Sequence, residues 1–311
     1  MTYLILAGGL SPERDVSLRS GRRVSDALHE RGIDAELRDP DGDLLAMLRA
    51  TSYAACLPLL HGAAGEDGSL RTVLDLVGVP YVGSGPAACR LAWDKPTAKA
   101  VARRTGLSTP EGVTLPQSVF SDLGAPAVLE AVVARLGLPL MVKPASGGSA
   151  MGCTKVTDAA DLPAAMVACF SYGDTVLLER FISGVEVAVT VLDLGEGPRA
   201  LPAVEVRALS GVYDYTARYS PGHTEYFTPA RLPDPESVSA AAVTAHVALG
   251  LRDVSRADLV VSPDGVVHLL EVNVSPGMTE TSLLPMAVEA DGGDLGGVLA
   301  SLLERAAARR L

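Results

Sequence analysis

The chain has 311 residues and a formal net charge of −11 at pH 7; its composition, 48% hydrophobic and 20% charged, is typical of a soluble globular protein. This length is too great for one ordinary hydrophobic core and predicts two or three subdomains. The acidic balance argues against a protein that binds nucleic acid by neutralising phosphates, and against one that binds an anionic membrane surface.

The cysteines indicate a reducing compartment. Cys56, Cys89, Cys153 and Cys169 are scattered, without a Cys-x-x-Cys pair, which favours buried thiols over a disulfide frame or a zinc site. The first apolar run, Tyr3–Ala7, is too short for a signal peptide, and no run approaches the roughly 20 apolar residues of a membrane span. We therefore expect a cytoplasmic protein.

The N-terminal segment reads as a strand, a glycine turn and a helix. Tyr3–Ala7 runs into Gly8-Gly9, and a helical pattern follows that ends at Gly32. This order is typical of a doubly wound α/β domain, whose ligand sites lie at the carboxyl ends of the strands. The dinucleotide fingerprint Gly-x-Gly-x-x-Gly is absent. Further strands are predicted at 35–38, 54–57 and 79–82, with the domain ending near Gly85.

A glycine-rich loop follows the strand that ends near Pro58. Since Pro58 cannot donate to a sheet ladder, regular pairing should stop there. The loop His61–Gly68 holds one histidine, two acids and three glycines, and glycines permit backbone turns that other residues resist. Both a binding loop and a surface turn with Asp67 as a helix cap fit this segment.

A second glycine-rich loop lies between two predicted strands. Leu140–Pro144 brings Lys143 into the loop 145–152, and the chain returns as the strand Cys153–Val156. Backbone N–H groups of such a loop can surround phosphates. It is not a P-loop, because Gly-Lys-Ser/Thr is missing and a strand follows. A plain hairpin connection is the alternative.

Strands, a long loop and helices make up most of the second half. Strands are predicted at Thr175–Ile182, Val187–Leu192 and Ala200–Val206 as one antiparallel group. Residues 207–232 show no clear periodicity and contain several tyrosines, which favours a functional lid over a disordered segment. Helices are predicted at 235–250 and 295–311.

Two apolar runs flank Ser262-Pro263-Asp264-Gly265, which predicts a β-hairpin with a four-residue turn. Val261 then pairs with Val266, so that Glu271 lies opposite Arg256 and diagonal to Asp258, at about 7–8 Å between backbones.

Because side chains alternate, one face of this hairpin carries Arg256, Asp258, Glu271 and Asn273, and the apolar other face includes His268. Two carboxylates and an amide at one end of a sheet predict a site for a hard cation such as Mg²⁺. The alternative is an Arg–carboxylate ion pair on a half-exposed sheet.

In this order, the segments resemble the D-alanine–D-alanine ligases of the ATP-grasp superfamily over essentially the whole chain. The segments that carry the resemblance are Gly8-Gly9 with Pro12-Glu13-Arg14-Asp15-Val16-Ser17, His61–Gly68, Tyr213–Tyr219, Arg256-Ala257-Asp258 and Glu271–Thr279.

The resemblance implies an α/β fold, α+β in the ATP-binding part. It consists of an N-terminal Rossmann-like domain (1–86), a central ATP-grasp domain (87–179) and a C-terminal ATP-grasp domain with the metal site (180–311). ATP is expected between two antiparallel sheets. The implied reaction makes D-Ala-D-Ala for peptidoglycan through an acyl phosphate, with ATP and two Mg²⁺ ions, or Mn²⁺, as cofactors. The expected partners are these small molecules and a second copy in a homodimer, without nucleic acid or membrane.

The resemblance also implies roles for individual residues at the nucleotide. The two metal ions would be held by Asp258, Glu271 and Asn273. The phosphates would contact Lys95, Lys143 and Arg218, with Ser149 in the covering loop. The adenine and ribose would be bound by Glu179, Ile182 and Glu186.

For the amino acids, Glu13 would hold the first D-Ala ammonium and His61 would lie beside its carboxylate. Arg256 and the Gly277 N–H would stabilise the oxyanion. The remaining implied residues are Ser282 and Leu283, which would receive the second D-Ala, and Tyr219, which would link Ser149 and Glu13.

Four departures from the family pattern concern Gly147-Gly148, where a charged residue is common, Arg218 in place of Lys, Val274 in place of Thr, and Glu280-Thr281. Several lie near the second substrate site. An ATP-grasp ligase for another amino-acid pair, with a biosynthetic or resistance role, therefore stays open. A nucleotide-binding protein without catalysis is an alternative from another class, but the intact Arg256, Asp258, Glu271 and Asn273 argue against it.

Overall fold

The structure, a computed structural model, describes residues 1–220 and 222–309, apart from the side chains of Thr216 and Tyr219. The strands are β1 (Tyr3–Leu6), β2 (Ala35–Arg38), β3 (Cys56–Pro58), β4 (Gly112–Pro116), β5 (Leu140–Pro144), β6 (Thr154–Val156), β7 (Thr175–Arg180), β8 (Val185–Leu192), β9 (Arg199–Ala200), β10 (Val204–Ala208), β11 (Thr224–Phe227), β12 (Val254–Val261) and β13 (Val267–Asn273).

The helices are α1 (Arg14–His29), α2 (Leu44–Ala50), α3 (Ala63–Glu66), α4 (Ser69–Leu76), α5 (Pro86–Trp93), α6 (Lys95–Arg104), α7 (Gln117–Leu123), α8 (Ala125–Leu136), α9 (Leu162–Phe170), α10 (Tyr215–Tyr219), α11 (Pro235–Ala248), α12 (Leu283–Ala290) and α13 (Leu295–Ala307). Among the helices described, none is long and apolar enough to cross a membrane.

The N-terminal sheet is parallel, with the strand order β2-β1-β3. The prediction of a full strand at 79–82 is wrong, since only Tyr81 of this segment forms a parallel bridge, with Cys56. Pro80 has no N–H to donate, so the ladder is short, although its carbonyl accepts a 2.7 Å hydrogen bond from the Cys56 N–H.

A second sheet, β4-β7-β5-β6, is antiparallel and packs against α7, α8 and α9. The predicted grouping of 175–182 with 187–192 and 200–206 is wrong, because β7 pairs with β4 on one side and β5 on the other and has no free edge. The chain crosses to the next sheet at Gly184, where an added Cβ would meet the Val261 carbonyl oxygen at 2.2 Å. Only glycine fits so close an approach.

The third sheet has the order β11-β10-β8-β12-β13, with β9 beside β8. Its strand β8 already includes Glu186, which the sequence placed before the strand, and the predicted strand 200–206 is interrupted at Pro202. Successive residues of β8 point to opposite faces, as the two-residue period requires. Val187 and Val189 join the core under α5, α6 and α11, and Ala188 joins the core shared with α12, α13 and the N-terminal sheet.

The hairpin of β12 and β13 forms, but its predicted register is wrong. Val261 pairs with Val267, so the turn is one residue longer than expected, and a β-bulge follows between Asp258 and Leu259. The longer turn shifts the pairing by one residue and the bulge shifts it by one more. Because a shift of two residues leaves each side chain on its predicted face, the four polar residues at the end of the hairpin still share one face. Near the turn, His268 lies opposite Val260 and so belongs to this face rather than to the apolar one.

The segment 207–232 contains regular structure, contrary to the aperiodic pattern, since it includes α10 and β11. Strand β11 pairs antiparallel with β10 at the edge of the third sheet. The predicted helices 235–250 and 295–311 appear as α11 and α13, and residues 310 and 311 of the second prediction lie outside the described part of the chain.

Candidate active site

Two adjoining clefts lie where the sheets and glycine loops meet. The first is lined from the start of α1, the loop after β3 and the end of the hairpin, and the second lies between the two antiparallel sheets. They enclose about 860 and 1020 Å³, including space open to solvent, which suits a nucleotide beside small substrates. Residues that border both clefts are Lys95, Gly147, Gly148, Tyr213, Arg218, Glu271 and Leu283.

The clefts bring together every predicted site residue except Tyr219, whose side chain lies outside the described part of the chain. The first cleft is lined by Glu13, His61, Lys95, Ser149, Arg218, Arg256, Glu271, Asn273, Gly277, Ser282 and Leu283. The second is lined by Lys95, Lys143, Glu179, Ile182, Glu186, Arg218, Asp258, Glu271 and Leu283.

Asp258 and Glu271 lie directly opposite one another on β12 and β13. Arg256 donates to both carboxylate oxygens of Asp258, at 2.7 and 2.8 Å, and Lys95 Nζ lies 3.4 Å from Glu271. Burial opposes ionisation of Glu271, but neighbouring cations, first of all Lys95 and Arg218, outweigh it and lower its pKa to about 2. The carboxyl of Glu271 is therefore ionised at neutral pH.

This end of the hairpin fits a hard divalent cation by its chemistry. Asp258 and Glu271 supply carboxylate oxygens and Asn273 an amide oxygen, which now accepts a 2.8 Å hydrogen bond from the Ser275 N–H. No three His, Cys, Asp or Glu side chains of residues 1–220 and 222–309 converge as a metal cluster, so a cation here would need further oxygens from a ligand or from water.

Glu179 is held between two lysines. Lys99 and Lys143 each bond to one of its carboxylate oxygens, and all three side chains are almost fully buried. Burial opposes the charge of Glu179, but Lys143 and Lys99 outweigh it and lower its pKa. Burial, followed by repulsion from Lys143, lowers the pKa of Lys99 to about 7. The carboxylate thus fixes Lys143 in the second cleft.

Glu13 and His61 present polar atoms to the first cleft. Glu13 precedes α1 and accepts a hydrogen bond from Ser149, while its other oxygen, Oε2, is buried and has no partner among the described residues. His61 Nε2 is buried and likewise has no partner in the part of the chain that the structure describes, and its Nδ1 lies 3.7 Å from Glu66. Burial, and next the charge of Glu66, raise the pKa of Glu13. A buried acceptor and an imidazole nitrogen in one cleft suit a zwitterionic amino acid.

The loop 145–152 carries backbone strain. Ser149 and Ala150 adopt left-handed conformations, with φ of 50° and 56°, which side chains rarely occupy. Lys95 Nζ donates to the Gly147 carbonyl at 2.6 Å and so ties α6 to the loop. A strained loop held by a charged residue at a cleft is typical of a functional site.

Arg218 is stacked on an aromatic pair. Its guanidinium lies 4.4 Å from the ring centre of Tyr213, and the Tyr213 and Tyr226 hydroxyls lie 3.2 Å apart. Burial opposes the charge of Arg218, but Asp258 and Tyr213 outweigh it and raise its pKa. A lysine in place of this arginine would lose the planar stacking.

Three residues at the site, Lys99, Glu66 and Tyr213, were not predicted from the sequence. Lys99 follows Lys95 by one helical turn, so both lie on one face of α6, and this spacing was a usable signal. Glu66 and Tyr213 lie in segments that carry the family resemblance. Glu66 comes close to His61, and Tyr213 to Arg218, only when these loops are folded.

Comparisons with known proteins agree with this geometry. The family model described as D-ala D-ala ligase C-terminus matches residues 101–304. The D-alanine–D-alanine ligase of Bordetella petrii is 43% identical over 98% of this chain and 92% of its own, and that of Anaeromyxobacter sp. strain K is 39% identical over 97% and 96%.

Among solved structures, the VanG D-Ala:D-Ser ligase of Enterococcus faecalis has a TM-score of 0.85 at 27% identity, covering 98% of this chain and 99% of that one. The D-alanine–D-alanine ligase of Bacillus anthracis has a TM-score of 0.84 at 30% identity, covering 98% and 97%.

Proposed function

Because this chain belongs to the D-alanine–D-alanine ligase family, we propose that it joins two D-alanines in an ATP-dependent reaction that supplies D-Ala-D-Ala for peptidoglycan. One observation carries the proposal: a polar cleft lined by Glu13 and His61 opens beside a second cleft between two sheets, and Lys95, Arg218 and Glu271 border both. A carboxylate in the first cleft would therefore face phosphates in the second.

In the first step a carboxylate oxygen of the first D-alanine attacks the γ-phosphorus of ATP, which forms the acyl phosphate and releases ADP. Glu13 Oε2, which has no partner among the side chains that the structure describes, would accept from the ammonium, and His61 Nε2 would lie beside the carboxylate. Lys95, Lys143 and Arg218 would surround the phosphates. This arrangement would bring the attacking carboxylate oxygen to the γ-phosphorus and would shield the acyl phosphate from water.

The second step forms the peptide bond. The amine of the second D-alanine, received near Ser282 and Leu283, attacks the acyl carbonyl, and inorganic phosphate leaves. Arg256 and the Gly277 N–H would stabilise the oxyanion of the tetrahedral intermediate. Tyr219, with Ser149 and Glu13, would orient the groups around this amine.

Two Mg²⁺ ions, or Mn²⁺, would be held by Asp258, Glu271 and Asn273, and when bound they would neutralise charge on the phosphates. The ion pair from Arg256 to Asp258 keeps this carboxylate on the cleft side of the hairpin. The adenine and ribose would lie farther along the second cleft, near Glu179, Ile182 and Glu186.

The domain organisation and the assembly also follow the family pattern in this proposal. We propose an N-terminal Rossmann-like domain at 1–86, a central ATP-grasp domain at 87–179 and a C-terminal one at 180–311. The parallel β2-β1-β3 sheet supports the first of these, and the two antiparallel sheets around the second cleft support the others. A homodimer in the cytoplasm is proposed from the family alone.

A ligase for a different amino-acid pair is the second candidate. It is favoured by Thr281, which lines the first cleft and follows the unusual Glu280, and by the similarity to a D-Ala:D-Ser ligase structure. Purified protein is incubated with ATP, Mg²⁺ and each of a panel of D- and L-amino acids, and products are identified by mass. We expect D-Ala-D-Ala as the main product. A different dipeptide would support the second candidate, and ATP turnover that no amino acid stimulates would contradict both.

A further inference from the structure

Helix α1 (Arg14–His29) contacts both regions in which an amino acid is expected. Glu13 directly precedes its first residue and lines the first cleft. Farther along the helix, Ser20 and Arg23 bond to the loop Gly277–Ser282. The Met278 N–H donates to Ser20 Oγ at 3.1 Å, and Arg23 Nη1 donates to the carbonyl oxygens of Met278, at 3.3 Å, and Thr279.

The Thr279 carbonyl is the junction between this helix and the acceptor region. It accepts from both Arg23 and the Ser282 N–H, the latter at 3.1 Å. Ser282 Oγ in turn accepts from the Thr279 N–H at 2.9 Å and lies 2.8 Å from Thr279 Oγ1. The loop is therefore a closed hydrogen-bonded turn, and Arg23 sets its position relative to α1.

Close packing leaves this turn little freedom of its own. A Cβ added at Gly277 would come within 2.8 Å of Ser282 Oγ. Met278 and Thr279 are buried. A shift of Arg23 or of α1 would consequently move Ser282, since Thr279, which accepts from Arg23, is hydrogen-bonded to Ser282.

We propose, on the basis of the proposed function, that Arg23 is a positioning residue for the acceptor amino acid. Helix α1 acts as a rigid spacer of about 15 Å between Glu13 and Arg23, at 1.5 Å of rise per residue. One end holds the ammonium of the donor, and the other end fixes the turn that receives the acceptor. The distance between the two amino acids is thereby set by one helix.

Neighbouring arginines provide a control for charge. Arg19, Arg22 and Arg23 all line a surface groove that also contains Glu280, but Arg19 and Arg22 are exposed. The hydrogen bonds from α1 to the turn, by contrast, come from Ser20 and Arg23. Arg22→Met therefore removes the same charge from the same groove while leaving the bonds to the turn.

The test compares Arg23→Met, Arg23→Lys and Arg22→Met with the unmutated protein. Initial rates over a wide range of D-alanine at saturating ATP are fitted to separate KM values for the donor and the acceptor. Arg23→Met should raise the acceptor KM about tenfold, the effect of losing a hydrogen bond from a charged donor, and leave the donor KM within about twofold. Arg23→Lys should recover part of this loss, because its ammonium reaches one carbonyl.

Arg22→Met should behave like the unmutated protein, and melting temperatures check that all variants fold. An unchanged acceptor KM in Arg23→Met, or equal increases in both KM values, would overturn the inference. If Arg23→Met does not fold, Arg23→Lys decides, because an acceptor KM equal to that of the unmutated protein would then overturn it. An unmutated protein that makes no dipeptide contradicts the proposed function instead.

Discussion

Asp258 and Glu271 lie directly opposite one another across β12 and β13; Asp258 lines the second cleft and Glu271 borders both. Their carboxylates face two arginines and a lysine, so cations outnumber the two acids at this site in the absence of a ligand. The phosphates of ATP would enter together with a divalent cation, and their negative charge would offset this excess of positive charge.

Replacement of either carboxylate tests the metal site. Glu271→Gln and Asp258→Asn should retain the fold and lower kcat at least about a hundredfold, because phosphoryl transfer depends on cations that bridge the phosphates. The control is Asp264→Asn, in the exposed turn of the same hairpin, which should stay within about twofold of the unmutated kcat. Near-normal activity with Mg²⁺ in either site variant would show that this site has been misassigned.

The pH dependence of kcat/KM should reflect the ionisation of Glu13. Burial and the charge of Glu66 raise its pKa, and only the ionised carboxylate attracts an ammonium. As pH falls, Glu13 is protonated at a higher pH than an ordinary glutamate, so kcat/KM for the first D-alanine should decline at an apparent pKa above 4.5.

Glu66→Gln removes the neighbouring charge and should shift this acid limb to lower pH. Asp67→Asn, which removes a carboxylate next to Glu66 in the chain, is the matched control and should leave the limb in place. An acid limb that moves equally in both variants, or in neither, would assign it to another group.

The buried charges of Glu179 and Lys99 should contribute unequally to the stability of the fold. Glu179→Gln leaves Lys99 and Lys143 without their shared ion-pair partner, and breaking a buried ion pair in this way costs about 3–5 kcal/mol. Lys99→Met removes one cation, already disfavoured by burial, while Lys143 keeps its partner.

Melting temperatures should therefore fall in the order unmutated protein, Lys99→Met, Glu179→Gln. The double variant Lys99→Met/Glu179→Gln should melt above Glu179→Gln, because it contains one uncompensated lysine fewer. The same melting temperature for Glu179→Gln and Lys99→Met would contradict this account of the cluster.

Much of the site was predictable because its residues lie at the ends of strands with clear patterns. Together with Arg256 and Asn273, Asp258 and Glu271 form a group of four polar residues on an otherwise apolar hairpin, and this group indicated the site. Their register was not predictable, since a five-residue turn and a β-bulge each shift the pairing, and neither leaves a periodic signal.

Sheet membership was harder to predict than strand positions. Strand β7 was located correctly, but Glu179 on it belongs to a different sheet from Glu186 on β8. Adjacent strands in the sequence usually pair, and here the chain crosses between sheets at Gly184 instead. In the same way, α10 and β11 are too short and too polar for their periodicity to be recognised in the segment 207–232.

The place of Tyr219 in the matched motif predicts that the attacking nucleophile is an amine. A tyrosine is neutral at pH 7 and hydrogen-bonds in both directions, so it allows an attacking amine to bind, whereas a protonated histidine would favour a hydroxy acid. With D-alanine and D-lactate in competition near neutral pH, the peptide should predominate. Tyr219→Phe should shift the product ratio toward the ester and leave ATP binding intact, whereas mainly D-Ala–D-Lac from the unmutated enzyme would reverse the assignment.

The most direct test of the proposed chemistry follows the carboxylate oxygen of the first D-alanine. Attack of this oxygen on the γ-phosphorus, followed by departure of phosphate from the acyl carbonyl, transfers one carboxylate oxygen to each phosphate. The protein is therefore supplied with ATP, Mg²⁺ and D-alanine labelled with ¹⁸O in its carboxylate, and phosphate and dipeptide are analysed by mass. We predict one labelled oxygen in each phosphate released and D-Ala-D-Ala in equal amount. Unlabelled phosphate, formed by attack of water on ATP, would contradict a ligase that acts through an acyl phosphate.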